Sequence, residues 1–136
     1  MVMGLDMYLT GEKFHPDRTG TLRENVDGYP VQSKILDLGY WRKNWALHEY
    51  IVNQFPAGEY KVELDSDKLR EIADHVKCGK LVDPDDLDVM PHYKSVYEFH
   101  REPEQVKRTV EVLTKAADWL DRNDNFWRSV YYEGSS

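Results

Sequence analysis

The longest regular pattern in this sequence follows Pro103 and predicts a helix with one apolar face. Apolar residues recur there every three or four positions, at Val106, Val110, Leu113, Ala117 and Leu120, and the stripe is widened by Val112, Ala116 and Trp119. Asn123 and Asp124 break the pattern. A helix with such a stripe buries it against another layer of structure, so the chain is expected to fold in layers around a shared core.

Two shorter segments have the same helical spacing. The first begins near Lys43 and stops at Pro56 and Gly58, and one face of it is formed by Leu47, His48, Ile51, Val52 and Phe55. The second begins at Asp65 or Ser66, either of which can cap a helix, and ends at Gly79. Its core face is formed by Leu69, Ile72, Ala73 and Val76. Together with the segment after Pro103, these patterns predict three helices.

Strand-like segments lie near both ends of the chain. Met3–Leu9, Glu59–Leu64 and Phe126–Tyr132 are predicted strands, Lys34–Trp41 is a strand or an extended entry to the next helix, and 15–33 is a predicted loop. The sequence therefore predicts an α+β fold with a small mixed or antiparallel sheet, whose N- and C-terminal strands are adjacent, covered by about three helices. The 136 residues are expected to form one domain, and the strand order stays open.

Composition and cysteine content indicate a soluble protein of a reducing compartment. Apolar residues make up 40% and aromatic residues 12% of the chain, which is enough to form a core. No apolar run approaches the length of a membrane span, and the N-terminus does not resemble a signal peptide. Cys78 is the only cysteine, so an internal disulfide is impossible. A cytoplasmic location is expected.

The negative charge of the chain is concentrated in its second half. The formal net charge is −7, and the segment 81–104 carries seven acidic residues against Lys94 and Arg101. Nonspecific binding to duplex DNA is disfavoured by this field. A second reading is that the acidic segment mimics phosphate for a basic host protein.

The sequence contains none of the common catalytic motifs. It has no glycine-rich phosphate loop, no Gly-x-Ser-x-Gly and no His-Glu-x-x-His, which favours a protein that is not an enzyme. His75 and Cys78 have a spacing that can share a metal, with His92 or His100 completing the site, but a cysteine at a helix end is more often a small buried apolar residue. The acids of Asp83–Asp88 lack the glycine and glutamate of a calcium loop. No metal or cofactor is predicted.

The segment Gly39–Trp45 places aromatic and cationic side chains at the start of a helix. Arg42 and Lys43 oppose the helix dipole there, whereas helix-start amides and aromatic rings are features that a nucleotide-like ligand uses. The alternative is that Tyr40 and Trp45 belong to the core and Arg42 pairs with a carboxylate such as Asp6 or Asp37. A further possibility is that Tyr8, Tyr40, Tyr131 and Tyr132 pave one face of the sheet.

Three blocks of the sequence resemble a family of small proteins encoded by tailed bacteriophages and prophages. The blocks are Met-Gly-Leu-Asp-Met-Tyr-Leu at Met3–Leu9, Leu-Gly-Tyr-Trp-Arg-Lys at Leu38–Lys43 followed by His48, and the Tyr-Tyr-containing Phe126–Tyr132. The chain departs from the family pattern at Pro91–Phe99 and at Asn44-Trp45. No reaction is established for the family, so the resemblance implies a setting and no chemistry.

The resemblance implies a phage-encoded accessory protein of the bacterial host cytoplasm. Such a protein is expected to counter host antiviral defence by sequestering a nucleotide-type signal or by masking a host defence protein. The expected ligand-binding residues are Tyr40, Trp41, Arg42, Lys43 and His48, with Asp6 as their internal partner. A homo-oligomer with this pocket at a subunit interface is compatible with the sequence.

The competing hypothesis is a small enzyme that acts on a nucleotide or nucleic acid. His48 would be its general base, and Arg42 or Lys43 would stabilise phosphate charge. This hypothesis requires an acid or a metal beside His48, and Asp6 is the candidate.

Overall fold

The computed structural model of the protein describes residues 5–14, 24–55, 61–81, 98–124 and 126–135. The strands in this part of the chain are β1 Asp6–Phe14, β2 Asn25–Val26, β3 Tyr29–Pro30, β4 Ser33–Arg42, β5 Val62–Glu63 and β6 Trp127–Ser135. The longer helices in these residues are α1 Trp45–Gln54, α2 Ser66–Lys77 and α3 Pro103–Leu120, and residues 98–100 are also helical. The predicted α+β class is confirmed.

The main sheet has four antiparallel strands in the order β4-β1-β6-β5. The first and last strands of the chain, β1 and β6, are neighbours along their whole length, as the sequence predicted. A β-bulge between Leu9 and Thr10 shifts the β1–β4 register, so Leu9 pairs with Gly39 while Thr10 pairs with Asp37. Because β4 is the first strand in this order, it is an edge of the sheet. A β-bulge increases the local twist of the strands that it joins.

The helices α1, α2 and α3 lie on one side of the main sheet, which we call the helix face. Alternate residues of the strands point to this face and are buried, among them Met7, Leu9, Trp41, Val130 and Tyr132. They pack with Leu47 and Ile51 of α1, Leu69 and Ile72 of α2 and Leu113 of α3 in one core cluster. The remaining strand residues point to the opposite side, which we call the outer face.

Two glycines allow α3 to lie close against the sheet. A methyl group on Gly39 would come within 2.5 Å of Val112, and one on Gly11 would come within 2.9 Å of Trp119. Any larger residue at Gly39 would push α3 away from β4. This close approach holds the N-terminal half of α3 beside the last residues of β4.

The helix ends follow the local sequence. Asp65 caps α2 by accepting a hydrogen bond from the Lys68 amide at 2.8 Å, and Gly79 follows the helix with a φ of +67°. Pro103 stands in the first turn of α3. These predicted starts and stops are confirmed. The side chain of Asn44 caps α1 immediately after β4, so this strand passes into α1 with almost no loop.

Several predicted boundaries differ from the structure. The strand β1 runs on through Gly11 to Phe14, because Gly11 is paired on both sides and its missing side chain makes room for Trp119. Within the predicted loop 15–33, β2 and β3 form a hairpin around Asp27-Gly28, whose φ angles are +52° and +85°. Asp-Gly is a strong signal for such a turn, and the loop prediction overlooked it.

The acidic segment Asp83–Asp88, which was considered as a calcium loop, lies outside the described residues, as does most of Pro91–Phe99. Within the described part of the chain, no helix is long and apolar enough to cross a membrane.

Candidate functional site

An open cleft lies at the free edge of β4, where this strand meets the residues that lead into α3. It encloses about 550 Å³, which is within the usual size of small-molecule sites. We call it the edge cleft. It is lined by Tyr40, Trp41, Arg42 and Lys43 from the end of β4 and by Phe99, His100, Gln105 and Arg108 from the approach to α3 and its first turns. Four of the six predicted site residues therefore line one cleft.

Backbone geometry explains why the cleft forms on this side of the strand. The Lys43 amide donates to the Leu5 carbonyl, so the Arg42 carbonyl in the same trans peptide points away from β1. Because strand residues two apart have the same orientation, the Tyr40 carbonyl also points to the free edge. His100 Nε2 donates to the Arg42 carbonyl at 2.7 Å, and Arg108 Nη2 donates to the Tyr40 carbonyl at 2.7 Å. Side chains from the α3 region thus cap the exposed edge.

The two arginines of the edge cleft differ from Arg70 and Arg128 in their ion pairing. Arg70 forms ion pairs with Asp118 and Asp121, and Arg128 binds Asp124 through two hydrogen bonds of 2.6 Å. Among the described residues, neither Arg42 nor Arg108 forms an ion pair with a carboxylate. Their guanidinium groups therefore bring positive charge to the cleft, although the chain as a whole is acidic.

His100 contributes an uncharged ring to the edge cleft. Burial lowers the pKa of His100, and the nearby charge of Arg108 lowers it further, while the bond to the Arg42 carbonyl acts in the opposite direction. The ring is consequently neutral at pH 7, and since Nε2 carries the proton that the carbonyl accepts, Nδ1 is left as an acceptor. The cleft therefore offers a hydrogen-bond acceptor beside its cations.

Two aromatic rings stand at the mouth of the cleft. Phe99 is 47% exposed and Tyr40 is 38% exposed, so both present ring surface to solvent. The Phe99 ring meets the His100 ring edge to face at 5.2 Å. Exposed rings beside guanidinium groups are suited to a ligand that carries both a flat ring and a negative charge.

The side chain of Trp41 is part of the core and is not exposed at the surface. Its side chain is only 1% exposed, and its indole N–H donates to Thr109 Oγ1 of α3 at 2.9 Å. Thr109 is itself buried, so this bond joins β4 to α3 within the core. Trp41 is among the residues that line the edge cleft, and the prediction that it contacts a ligand stays a prediction.

His48 lies away from the edge cleft. It is on α1, above the helix face, where Nδ1 is hydrogen-bonded to the hydroxyl of Tyr132 at 2.5 Å and a methyl group on Gly134 would collide with the ring. Burial lowers the pKa of His48 and raises that of Tyr132. The structure therefore separates His48 from the cationic residues with which the sequence grouped it.

Asp6 lies on the outer face and accepts a hydrogen bond from the Tyr40 hydroxyl at 2.5 Å. This hydrogen bond is the largest cause of the raised pKa of Tyr40. Asp6 is a backbone neighbour of Arg42 in the sheet but forms no ion pair with it. Asp6 and His48 are on opposite faces of the sheet, so the acid that the enzyme hypothesis required beside His48 is not Asp6.

The alternation of side chains along the strands shows which faces of the sheet the tyrosines occupy. Tyr8, Tyr40 and Tyr131 share the outer face, but Tyr132 points to the helix face and is 1% exposed. The four tyrosines therefore do not pave a single face. Trp45 packs against the core cluster, as the alternative reading proposed, while Tyr40 does not.

The possible metal pair is not assembled in the described part of the chain. His75 Nδ1 is within hydrogen-bonding distance of the Tyr50 hydroxyl at 3.0 Å, Cys78 is exposed, and His100 is in the edge cleft. Among the described residues no group of three or more His, Cys, Asp or Glu side chains is arranged to hold a metal ion. His92 lies outside them.

Sequence reasoning missed the half of the edge cleft that comes from the α3 region. Phe99, Gln105 and Arg108 were not singled out, and His100 was considered only as a metal ligand. Arg108 stands on the polar side of the stripe that predicted α3, and no local pattern links it to Tyr40. Only the pairing of β4 with β1 and the packing of α3 on the sheet bring them together.

Comparison of the chain with protein-family models, curated proteins and solved structures gives no match. The site is therefore interpreted from its own geometry.

Proposed function

We propose that the protein is a phage-encoded accessory protein that binds a nucleotide-type anion in the edge cleft. The binding residues are Arg42, Lys43 and Arg108 for the phosphate, with Phe99 and Tyr40 against the base. In this proposal the protein acts in the bacterial host cytoplasm by sequestering such a ligand, which counters host defence.

The observation that carries the proposal is a pair of arginines that form no ion pair with any carboxylate of the described residues, in a chain of net charge −7. Guanidinium groups form strong, directional hydrogen bonds with phosphate oxygens. Beside them the neutral His100 ring offers an acceptor for a base or sugar hydroxyl, and the volume of about 550 Å³ admits a nucleotide. The phage setting rests on the resemblance of the three sequence blocks alone.

An enzymatic role for His48 has less support. A general base must reach the substrate, whereas His48 is hydrogen-bonded to Tyr132 on the helix face and lies away from the cations of the edge cleft. Binding without chemistry accounts for the edge cleft more simply.

The proposal is tested by isothermal titration calorimetry with AMP, ATP, cyclic di-AMP and inorganic phosphate. We expect at least one nucleotide to bind more tightly than phosphate, because the rings add to the charge contacts. Arg42→Ala and Arg108→Ala should each weaken that binding by roughly 10- to 100-fold, the size of one charge-assisted hydrogen bond.

The matched control is Arg122→Ala, which removes an exposed arginine just beyond the other end of α3. It should leave the affinity unchanged. Equal losses in the Arg108→Ala and Arg122→Ala variants would show that only overall charge matters, and heat signals absent for every nucleotide would refute the proposal.

A further inference from the structure

The outer face of the main sheet is open along its central strand. Tyr8 is in β1, with a paired strand on each side, yet its side chain is 40% exposed. On the same face Ile35 of β4 is 64% exposed and Trp127 of β6 is 58% exposed. Large apolar side chains that remain exposed together across a sheet mark an interaction surface.

The rings of this face are arranged in contacting pairs. Tyr8 and Tyr40 have their ring centres 5.4 Å apart, and Phe14 meets Trp127 edge to face at 5.3 Å. The third tyrosine of the face, Tyr131, has the ammonium group of Lys61 5.6 Å from its ring centre. The chain thus already places one cation over a ring of this surface.

Five carboxylates are distributed among these rings. The strand register puts them on the same face, at Asp6, Glu12, Asp37, Glu63 and Glu133. The bonds that two of them accept come from neutral hydroxyls, Tyr40 for Asp6 and Ser33 for Glu12. Within the described part of the chain none of the five forms an ion pair.

We propose that the outer face is a docking surface for a basic segment of a partner protein. Arginine or lysine side chains of the partner lie over the exposed tyrosine rings and end at the neighbouring carboxylates, so that each cation gains a ring and a counter-charge. The same carboxylates repel phosphate, which argues against a single-stranded nucleic acid on these rings despite their stacking surface.

This surface is distinct from the edge cleft, although Tyr40 and Arg42 stand where the two meet. Asp37 and Glu133 do not line the cleft. Glu133 of β6 pairs with the exposed Tyr8, and Asp37 of β4 pairs with Thr10, the next residue of β1 on the same face. Substitutions at these two positions therefore test the outer face while the cleft is left intact.

The test is fluorescence anisotropy at low ionic strength with a short labelled peptide that alternates arginine and alanine. The variant Asp37→Asn/Glu133→Gln should bind it roughly tenfold more weakly than the unmodified protein, the sum of two exposed charge contacts. The matched control, Asp74→Asn/Glu111→Gln, removes two exposed acids from α2 and α3 and should change the affinity by less than about twofold.

Equal weakening in both double variants, or no binding of the peptide at all, would overturn the proposal. A labelled oligothymidylate that binds more tightly than the peptide and loses affinity on Tyr8→Ala would also overturn it, in favour of nucleic acid. Nucleotide binding in the edge cleft, measured on the same variants, should stay unchanged, so the two proposals succeed or fail separately.

Discussion

The end of β4 presents two different surfaces on its two sides. Trp41 points to the helix face, is buried, and is bonded to Thr109 of α3. Tyr40 and Arg42, its immediate neighbours, point the other way and stand at the edge cleft. A single run of aromatic and cationic residues therefore has two roles. Its inward residue stabilises the packing of α3, while its outward residues remain accessible to a ligand.

The largest effect is expected from truncating the inward residue. Trp41→Ala should lower the free energy of unfolding by about 3–5 kcal/mol, because it removes a fully buried ring. Chemical denaturation measures this loss. The control Trp127→Ala removes a tryptophan that is 58% exposed and should cost less than about 1 kcal/mol. Similar losses of unfolding free energy in the two variants would contradict the placement of Trp41 on the helix face and Trp127 on the outer face.

The bond between Trp41 and Thr109 allows a finer test. Thr109→Val keeps the shape of the side chain but leaves the buried indole N–H without its acceptor, which should cost about 1–3 kcal/mol in unfolding free energy. Thr109→Ser retains the hydroxyl and should cost less. If valine proves as stable as threonine, the indole N–H has another partner and the link from β4 to α3 is not made by this bond.

Two partly buried histidines, His48 of α1 and His100 of the edge cleft, should make the protein less stable in acid. Burial lowers the pKa of both His48 and His100 below the usual 6.5. Between the folded-state pKa and 6.5 the unfolded chain binds more protons, so the free energy of unfolding falls as the pH is lowered through this range. Urea denaturation between about pH 7.5 and 5.5 measures the slope.

Replacing either histidine should reduce that slope. His48→Gln and His100→Gln each remove one titrating group, so each should flatten part of the pH dependence. Only His100→Gln should also alter nucleotide affinity, since His48 is outside the edge cleft. A change of affinity in His48→Gln, with the fold intact, would return His48 to the binding site.

The smallest effect is expected at the outward tyrosine. Tyr40→Phe removes the hydrogen bond to Asp6, but both groups are accessible to water, so the unfolding free energy should change by less than about 1 kcal/mol. Thermal or urea denaturation is sufficient to measure it. A loss as large as that of Thr109→Val would mean that Tyr40 is part of the core after all.

Local patterns predicted most of the fold. Apolar spacing gave α1, α2 and α3, and Asp65, Gly79 and Pro103 marked helix ends as their backbone chemistry requires. The Asp27-Gly28 hairpin was missed although its turn signal is present. The bulge between Leu9 and Thr10 had no such signal, because it depends on how two distant strands pair.

The lining of the edge cleft was predicted in part. Tyr40, Arg42 and Lys43 were singled out because cations and rings at a helix start are unusual, and they line the cleft. Trp41 was grouped with them because sequence order does not tell which side of a strand faces the core. His48 was also grouped with them, because the sequence does not show that α1 places this ring beside β6 and away from the cleft. Arg108 and Phe99 join the cleft only through tertiary packing.

The most direct test of the account is an amide NMR titration of the protein with the nucleotide that binds most tightly in the calorimetric panel. The largest shifts are expected at Arg42, Lys43, Phe99 and His100, with little change at Leu69 and Ile72 in α2. Shifts centred on His48, or on Tyr8 and Glu133 of the outer face, would contradict the assignment of the edge cleft as the nucleotide site.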